Sequence, residues 1–472
     1  MDHSNIPIYV DLDGTLVATD TLWESVVVAL RNNPFLLLRL PFYLLRGKAA
    51  FKDVVASHAT IAVELLPYDA ALVTFLREQH ARGRTIVLAT AAHTSIAHAV
   101  AEHLGVFADV LATTSDVNLK GQTKADRIRA HAAGPFAYVG DTIADVPVWN
   151  AASESYVAGT TTSLIKKAGS VTGTFMRPSV TFRDVVKQLR LHQWVKNVLL
   201  FMPVILAHKF AEPTLFLQVL VAFFTFGLCA SAVYVLNDVM DVESDRAHPT
   251  KRRRPMASGR IPLSFAVTAI PLLFGSAAVL SITVLPVAYS LWLLTYAVLT
   301  TAYTFVFKRM EIVDVLVLAG LYTLRVEAGA AAANVVVSPW LLMFSMFLFT
   351  SLAFLKRYTE LLDMAGRERA SMAGRGYTIG DTEMIRVLGP AIGYISILVI
   401  TLYVNSPEVR ALYLHPLRLW LLVPCMVYWI TRLWLIAHRG GMHEDPILFT
   451  VRDRASYVVG LIVVGIVIAA SM

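Results

Sequence analysis

From about Leu191 onward, long apolar runs alternate with short polar stretches. Nine such runs stand out, at roughly 195–208, 214–236, 263–283, 287–306, 312–333, 339–355, 387–405, 417–436 and 455–472. About 20 apolar residues carry a helix across about 30 Å of hydrocarbon. The pattern therefore predicts an all-α membrane domain of nine transmembrane helices over residues 185–472. Ahead of it the pattern is different. Short β-rich runs end in acids, glycine or threonine: "IPIYVDLDGTLVATD" (6–20), "RTIVLAT" (84–90), "ADVLATT" (108–114), "FAYVGD" (136–141) and "ESYVAG" (154–159). Helical stretches separate them. This alternation predicts an α/β domain over residues 1–160 with a Rossmann-like parallel sheet. In such sheets the site lies at the carboxyl ends of the strands. The insert at about 17–78 reads as a helical cap, and the Thr-, Ser- and Gly-rich stretch at 161–184 reads as a linker.

Composition agrees with a partly membrane-embedded chain. Of 472 residues, 56% are hydrophobic and 16% charged, whereas an ordinary soluble domain is about 25% charged. The two cysteines, Cys229 and Cys425, fall inside apolar runs, which excludes a disulfide framework and a zinc site. The N-terminus has no basic segment followed by an apolar core, so it does not read as a signal peptide. Most loop bases lie after the second, fourth, sixth and eighth runs, whereas the opposite loops hold Lys209, Arg410 and Arg418. The positive-inside rule makes the base-rich side cytoplasmic. The expected topology has the N-terminal domain in the cytoplasm and the C-terminus outside, in a bacterial inner membrane. The basic balance is spent on these loops and calls for no nucleic acid.

The second run ends in "NDVMDVESDRAHPTKRRRP" (237–255). One Asp at a bilayer centre costs about 2.5–3.5 kcal/mol, so this stretch sits in water or lines a polar cavity. Asn237, Asp241 and Asp245 share one helix face at i, i+4, i+8, and Asp238 lies three residues from Asp241. Carboxylates clustered this way call for a cation, and a hard ion such as Mg²⁺ can be completed by substrate phosphates. The basic run Lys251–Arg254 suits further phosphate oxygens. This stretch resembles the NDxxDxxxD signature of the UbiA prenyltransferase superfamily, nine-helix membrane enzymes that bind a diphosphate through Mg²⁺. "LRLHQWVKN" (189–197), "FLKRYTEL" (354–361), "GRGYT" (374–378) and "HEDPILFTVRDRAS" (443–456) resemble its decaprenyl-phosphate phosphoribosyltransferase branch. The resemblance implies Mg²⁺ on Asp238, Asp241 and Asp245, with Asp238 and Asp241 at the reaction centre. It implies substrate contacts from Lys196, Asn237, Lys251, Arg254, Lys308, Arg325, Lys356 and Arg357. Prenyl-transferring members carry a second Asp-rich motif after the fourth span. Here Asp314 stands in that region, but Val317 and Leu318 replace further acids. One acid cluster with many cations suits phosphoribosyl diphosphate as donor and a polyprenyl phosphate as acceptor. Prenylation of an aromatic acceptor is the alternative.

In the first half, DxDGT (Asp11, Asp13, Gly14, Thr15), Thr90, a lysine and "GDTIAD" (140–145) resemble the four motifs of the haloacid dehalogenase superfamily of phosphatases. The resemblance implies Asp11 as nucleophile and Asp13 as general acid and base. It implies Thr90 and Lys124 on phosphate oxygens; Lys120 is the other lysine available. Mg²⁺ would sit on Asp11, Asp141 and the Asp13 position, supported by Asp145. The apolar stretch 33–51 either packs within the cap or rests on the membrane interface. The chain is expected to be a bifunctional enzyme with Mg²⁺ in both domains. A phosphatase fold reduced to a docking module is the non-catalytic alternative.

Overall fold

The computed structural model describes residues 6–33, 35–45, 51, 54–55, 57–113, 118–209, 211–366, 376–442 and 445–472. Parts of the stretches 33–51, 374–378 and 443–456 lie outside the described residues. The chain divides into two compact units. One joins Met1–Leu189 with Tyr234–Ile270, and the other joins Arg190–Val233 with Pro271–Met472.

The first unit is built on a six-stranded parallel sheet in the order β3-β2-β1-β4-β5-β6. The strands are β1 (Ile8–Val10), β2 (Ile86–His93), β3 (Asp109–Thr113), β4 (Ala137–Gly140), β5 (Glu154–Gly159) and β6 (Val171–Met176). β1 lies at the centre, so Asp11 leaves it in mid-sheet. Ile8 and Val10 pack into one apolar layer with Leu72, Ile96 and Val100. Tyr9 points to the other, with Ala125, Ile128 and Trp149. A sheet covered on both faces needs apolar residues at successive positions, which is why these strands read as runs. The insert between β1 and β2 is helical at α1 (Thr21–Asn32), α2 (Leu36–Leu45) and, before β2, α3 (Ala70–Ala81). Next come α4 (Thr94–Leu104), α5 (Gln122–Ala132) and α6 (Phe182–Gln188).

Two expectations change here. Residues 161–184 are no plain linker: they contain β6, paired in parallel to β5, and the start of α6. The sequence "VTGTFM", at the sheet edge, has no fully buried position and alternates half-buried with exposed residues over its first four, so its composition resembles a tether. The sheet domain therefore runs past residue 160. The second change is that Tyr234–Ile270, which follows an apolar run, packs in the same unit. Val235, Val239, Val242, Met256, Ile261 and Leu263 share a core with Val27 of α1.

The second unit is helical. Across the described chain, seven helices are long and apolar enough to cross a membrane: Pro213–Met240, Phe265–Val284, Val313–Ala333, Pro339–Ala365, Ile379–Val404, Pro416–His438 and Arg454–Ser471. The helices Pro213–Met240 and Phe265–Val284 each span a boundary between the units. The other two expected runs are also helical. Leu191–Leu206 is short. Val287–Phe305 carries Tyr289, Tyr296, Thr300, Tyr303 and Thr304, which lower its apolar character.

Candidate active sites

The carboxyl ends of β1, β2 and β4 deliver the first site. Asp11 follows β1; its amide donates to Val139 O (3.0 Å) and its Oδ1 accepts from Leu12 N (2.8 Å). Gly14 turns the chain with φ +73°, and a Cβ there would strike the Asp141 carboxylate. That close approach is why the turn carries glycine. Thr15 Oγ1 donates to Asp141 Oδ1 (3.1 Å). Lys124, at the start of α5, is buried and reaches Asp11 Oδ2 (3.0 Å) and Asp145 Oδ1 (3.4 Å). Lys120 is exposed, so of the two lysines Lys124 is the one that meets Asp11. Thr90 is fully buried within the carboxyl half of β2, and its Oγ1 accepts from Ala92 N (3.0 Å).

Among the described residues, Asp11, Asp141 and Asp145 form the one set of carboxylates whose oxygens converge within 4.8 Å. Burial, and the charge of Asp145, raise Asp11 to about 6 against the pull of Lys124. Burial, Asp11 and Asp145 raise Asp141 to about 8. Burial alone would raise Asp145 too, but Lys124, Tyr138 and Thr142 hold it below the usual range. The buried acids outnumber the one buried lysine, and their donors are hard oxygens. The set fits a divalent cation such as Mg²⁺. Asp13 is outside this set. Its Oδ1 accepts from Thr21 N (2.8 Å) at the start of α1. Burial and Asp20 raise it to about 7.

Sequence reasoning missed Arg177, just beyond β6. Its Nη2 donates to Gly14 O, and its Nε lies 3.8 Å from Asp69 Oδ2. Burial lowers its pKa. Its place at the carboxyl end of a strand was the available signal. The cavity around Asp11 has a volume of about 960 Å³.

The Asp-rich stretch also lies in the first unit. The helix Pro213–Met240 ends one residue before Asp241, and α7 (Val242–Ala247) follows. Asp241 N and Asp245 N still donate to Asn237 O and Asp241 O (2.9 and 2.8 Å), so the predicted i, i+4 spacing persists. The carboxylates do not converge as a metal set. Arg254 Nη1 bridges Asp238 Oδ1 (3.3 Å) and Asp245 Oδ2 (2.6 Å). Gln188 Nε2 donates to Asp238 Oδ2 (2.9 Å). Arg254, expected on phosphate, thus holds the place expected for the ion. Lys251 is exposed, while Asn237 and Asp241 are half-buried.

The remaining expected cations belong to the second unit. Lys196 and Lys356 converge on Asp445 Oδ2, at 3.0 and 3.2 Å. Asp445 was not anticipated; the run "DPILF" is a helix-capping pattern, and its Oδ1 accepts from Ile447 N (3.1 Å). Burial would raise Asp445, but the two lysines hold it well below the usual carboxylate range. Arg325 donates to Asn197 Oδ1 (3.2 Å), Leu321 O (2.6 Å) and Tyr296 OH (3.2 Å), among the rings of Phe226, Tyr296 and Tyr322. Arg357 is wholly buried, on Asp314 Oδ2 (2.6 Å), Tyr303 OH (3.1 Å) and Glu360. These two arginines are engaged by protein groups. Lys308 lies half-buried in the turn Phe307–Arg309.

Residues 198–451 match the UbiA prenyltransferase family, and residues 8–149 match the haloacid dehalogenase-like hydrolases. An uncharacterized protein of Sinorhizobium fredii, y4nM, is 34% identical over 98% of this chain and 91% of its own length. Nodulation protein NoeC of Azorhizobium caulinodans is 34% identical over 59% of this chain and 90% of its own length. Decaprenyl-phosphate phosphoribosyltransferase of Mycobacterium tuberculosis is 36% identical over 39% of this chain and 62% of its own length. The chain is a multi-pass membrane protein that belongs to the UbiA prenyltransferase family and carries a haloacid dehalogenase-like hydrolase domain ahead of it.

Proposed function

We propose that the membrane half transfers 5-phosphoribose from phosphoribosyl diphosphate to a polyprenyl phosphate, and that the hydrolase half then removes the 5-phosphate. The observation that carries the donor is the state of Asp314. This acid of the second-motif region is fully buried, held by Arg357 and by Tyr377 OH (2.7 Å), so it is spent on the fold. A prenyl-diphosphate enzyme would need acids there for a second ion. The relatives named decaprenyl-phosphate phosphoribosyltransferase support the same reading. In the transfer, the bond from ribose C1 to the diphosphate oxygen breaks, and C1 bonds to a phosphate oxygen of the lipid. The acceptor is already anionic and needs no general base. Lys196 and Lys356 supply positive charge, oriented by Asp445.

The product would keep a phosphomonoester. Asp11 attacks its phosphorus while Asp13 gives a proton to the departing 5-hydroxyl. Asp13 then takes a proton from water as that water's oxygen attacks the aspartyl phosphate, releasing inorganic phosphate. A divalent cation on Asp11, Asp141 and Asp145 would offset the phosphate's charge. Lys124, 3.0 Å from Asp11 Oδ2, would hold a phosphate oxygen, with Thr90 assigned the same role. The exposed Phe35, just before α2, and Phe42 and Leu45 within it suit contact with a lipid-borne substrate.

The test is to incubate purified protein with Mg²⁺, polyprenyl phosphate and phosphoribosyl diphosphate. Mass spectrometry should find polyprenyl-phosphoryl ribose. Product formation from a prenyl diphosphate and an aromatic acceptor instead would overturn the reading.

A further inference from the structure

The cavity that holds Asp11, Asp13, Lys124 and Asp141 is also lined by Ser258, Arg260 and Pro262. These residues lie in the stretch that matches the membrane-enzyme family, just beyond the Asp-rich signature. Their placement is built in. Gly259 has φ +71°, and a Cβ there would strike the carbonyl of Ala18, in the turn that leads from Asp13 to α1. Arg246 grips Glu24 of α1 through both guanidinium nitrogens (3.1 and 2.7 Å) and donates from Nε to Ala257 O (2.9 Å). Thr19 Oγ1 donates to the same Glu24 (2.6 Å).

Arg260 is aimed by a buried acid. Its Nη1 donates to Asp184 Oδ1 (3.0 Å), and Asp184 is fixed in turn by Thr181 Oγ1 (2.7 Å) in the capping box of α6. The arginine side chain is 54% exposed, and it lines the cavity. A monoester at Asp11 would be met by Lys124 and Thr90, while Arg177 gives Nη2 to Gly14 O and keeps Nε and Nη1 buried beside the same cavity without a hydrogen-bond partner. Arg260 is thus a cation that the hydrolysis of a simple monoester does not use, on a wall supplied by another part of the chain.

We propose that Arg260 is a specificity-determining residue of the phosphatase site, binding a second anion of the substrate, a phosphodiester covalently joined to the sugar that carries the monoester. This rests on the substrate reading above, where the lipid product carries a 5-phosphate at one end of the ribose and a phosphodiester at the other. A guanidinium fork suits that anion.

The test uses full-length protein with Asp11→Asn to prevent turnover. It compares the Kd of ribose 5-phosphate with that of ribose 5-phosphate bearing a methyl phosphodiester at C1. The diester probe should bind about tenfold more tightly, the scale of one hydrogen bond to a charged group. Adding Arg260→Gln, which can still donate to Asp184, should bring the ratio near one, and Arg260→Lys should keep part of it. A ratio near one in the Asp11→Asn protein, as expected if the arginine serves a separate headgroup or free anion, would overturn the proposal. So would a ratio that survives Arg260→Gln. If the ratio collapses with Arg260→Gln while wild type hydrolyses neither probe, the anion subsite stands and the substrate reading falls. If wild type hydrolyses the diester probe but the ratio ignores Arg260, the reading stands and the subsite falls.

Discussion

Arg246 and Glu24, 222 positions apart, meet in a bidentate ion pair with both side chains buried. Removing one partner of such a pair leaves an uncompensated buried charge, at a cost of about 3–5 kcal/mol. Glu24→Ala should therefore loosen α1 and residues 242–260 together. Hydrogen exchange would read this as lost protection in both stretches, with Glu24→Gln milder. Unchanged protection in 242–260 would show that the pair does not hold that segment.

The two chemistries should separate. Asp11→Asn is expected to abolish monoester hydrolysis while phosphoribosyl transfer continues, so the lipid stalls as its 5-phosphate. Asp241→Asn should do the reverse with a soluble monoester as the phosphatase substrate. Mass spectrometry of the lipids and phosphate release check both. Accumulation of the phosphorylated lipid by wild type as well would mean that the phosphatase serves another substrate.

Asp13 offers a sharper test of proton transfer. Its side chain faces Thr21 N rather than the converging acids. General acid catalysis contributes about 10²–10⁴-fold, and most when the leaving group is a poor one. Asp13→Asn should slow a sugar phosphate by at least about 10²-fold and nitrophenyl phosphate far less. Equal losses on the two substrates would point to a structural role.

Asp445 holds Lys196 and Lys356 at 3.0 and 3.2 Å. Asp445→Ala should lower transferase turnover strongly, and Asp445→Asn should restore part of it by keeping an acceptor oxygen. Hydrolysis of a soluble monoester by the same preparations serves as the control. Transferase activity that survives Asp445→Ala would remove these lysines from the reaction.

Topology can be read with reporters. One fused after Met472 should be exported, and one inserted within residues 376–380 should remain cytoplasmic. A cytoplasmic C-terminal reporter would mean an even number of crossings.

The first site was largely legible because a parallel sheet places chemistry at fixed points of the pattern. Asp11 and Asp141 each follow an apolar strand, Thr90 lies within the carboxyl half of β2, and Lys124 opens the helix α5. β6 escaped notice because an edge strand of alternating exposure looks like a tether. Arg357 and Arg325 illustrate a different limit. An intramembrane arginine signals a polar environment, but sequence alone does not say whether ligand or protein supplies it. Here Asp314, Asn197 and Tyr296 do. Arg254 shows the same ambiguity in a loop: a base near acids can serve phosphate or neutralise the acids themselves.

Because the unit around the sheet also includes Tyr234–Ile270, it cannot be completed in the order in which the ribosome delivers the chain. All six strands emerge before the segment that closes over Ala18 has been made. At about 5–20 residues per second, the nascent sheet waits several seconds, while the apolar helix preceding Tyr234 is synthesised and handed to the insertion machinery. Completion of this unit therefore follows synthesis of the helix Pro213–Met240. Ribosome-bound chains stalled before residue 234 should remain protease-sensitive in α1, and chains stalled well past residue 270 should become resistant.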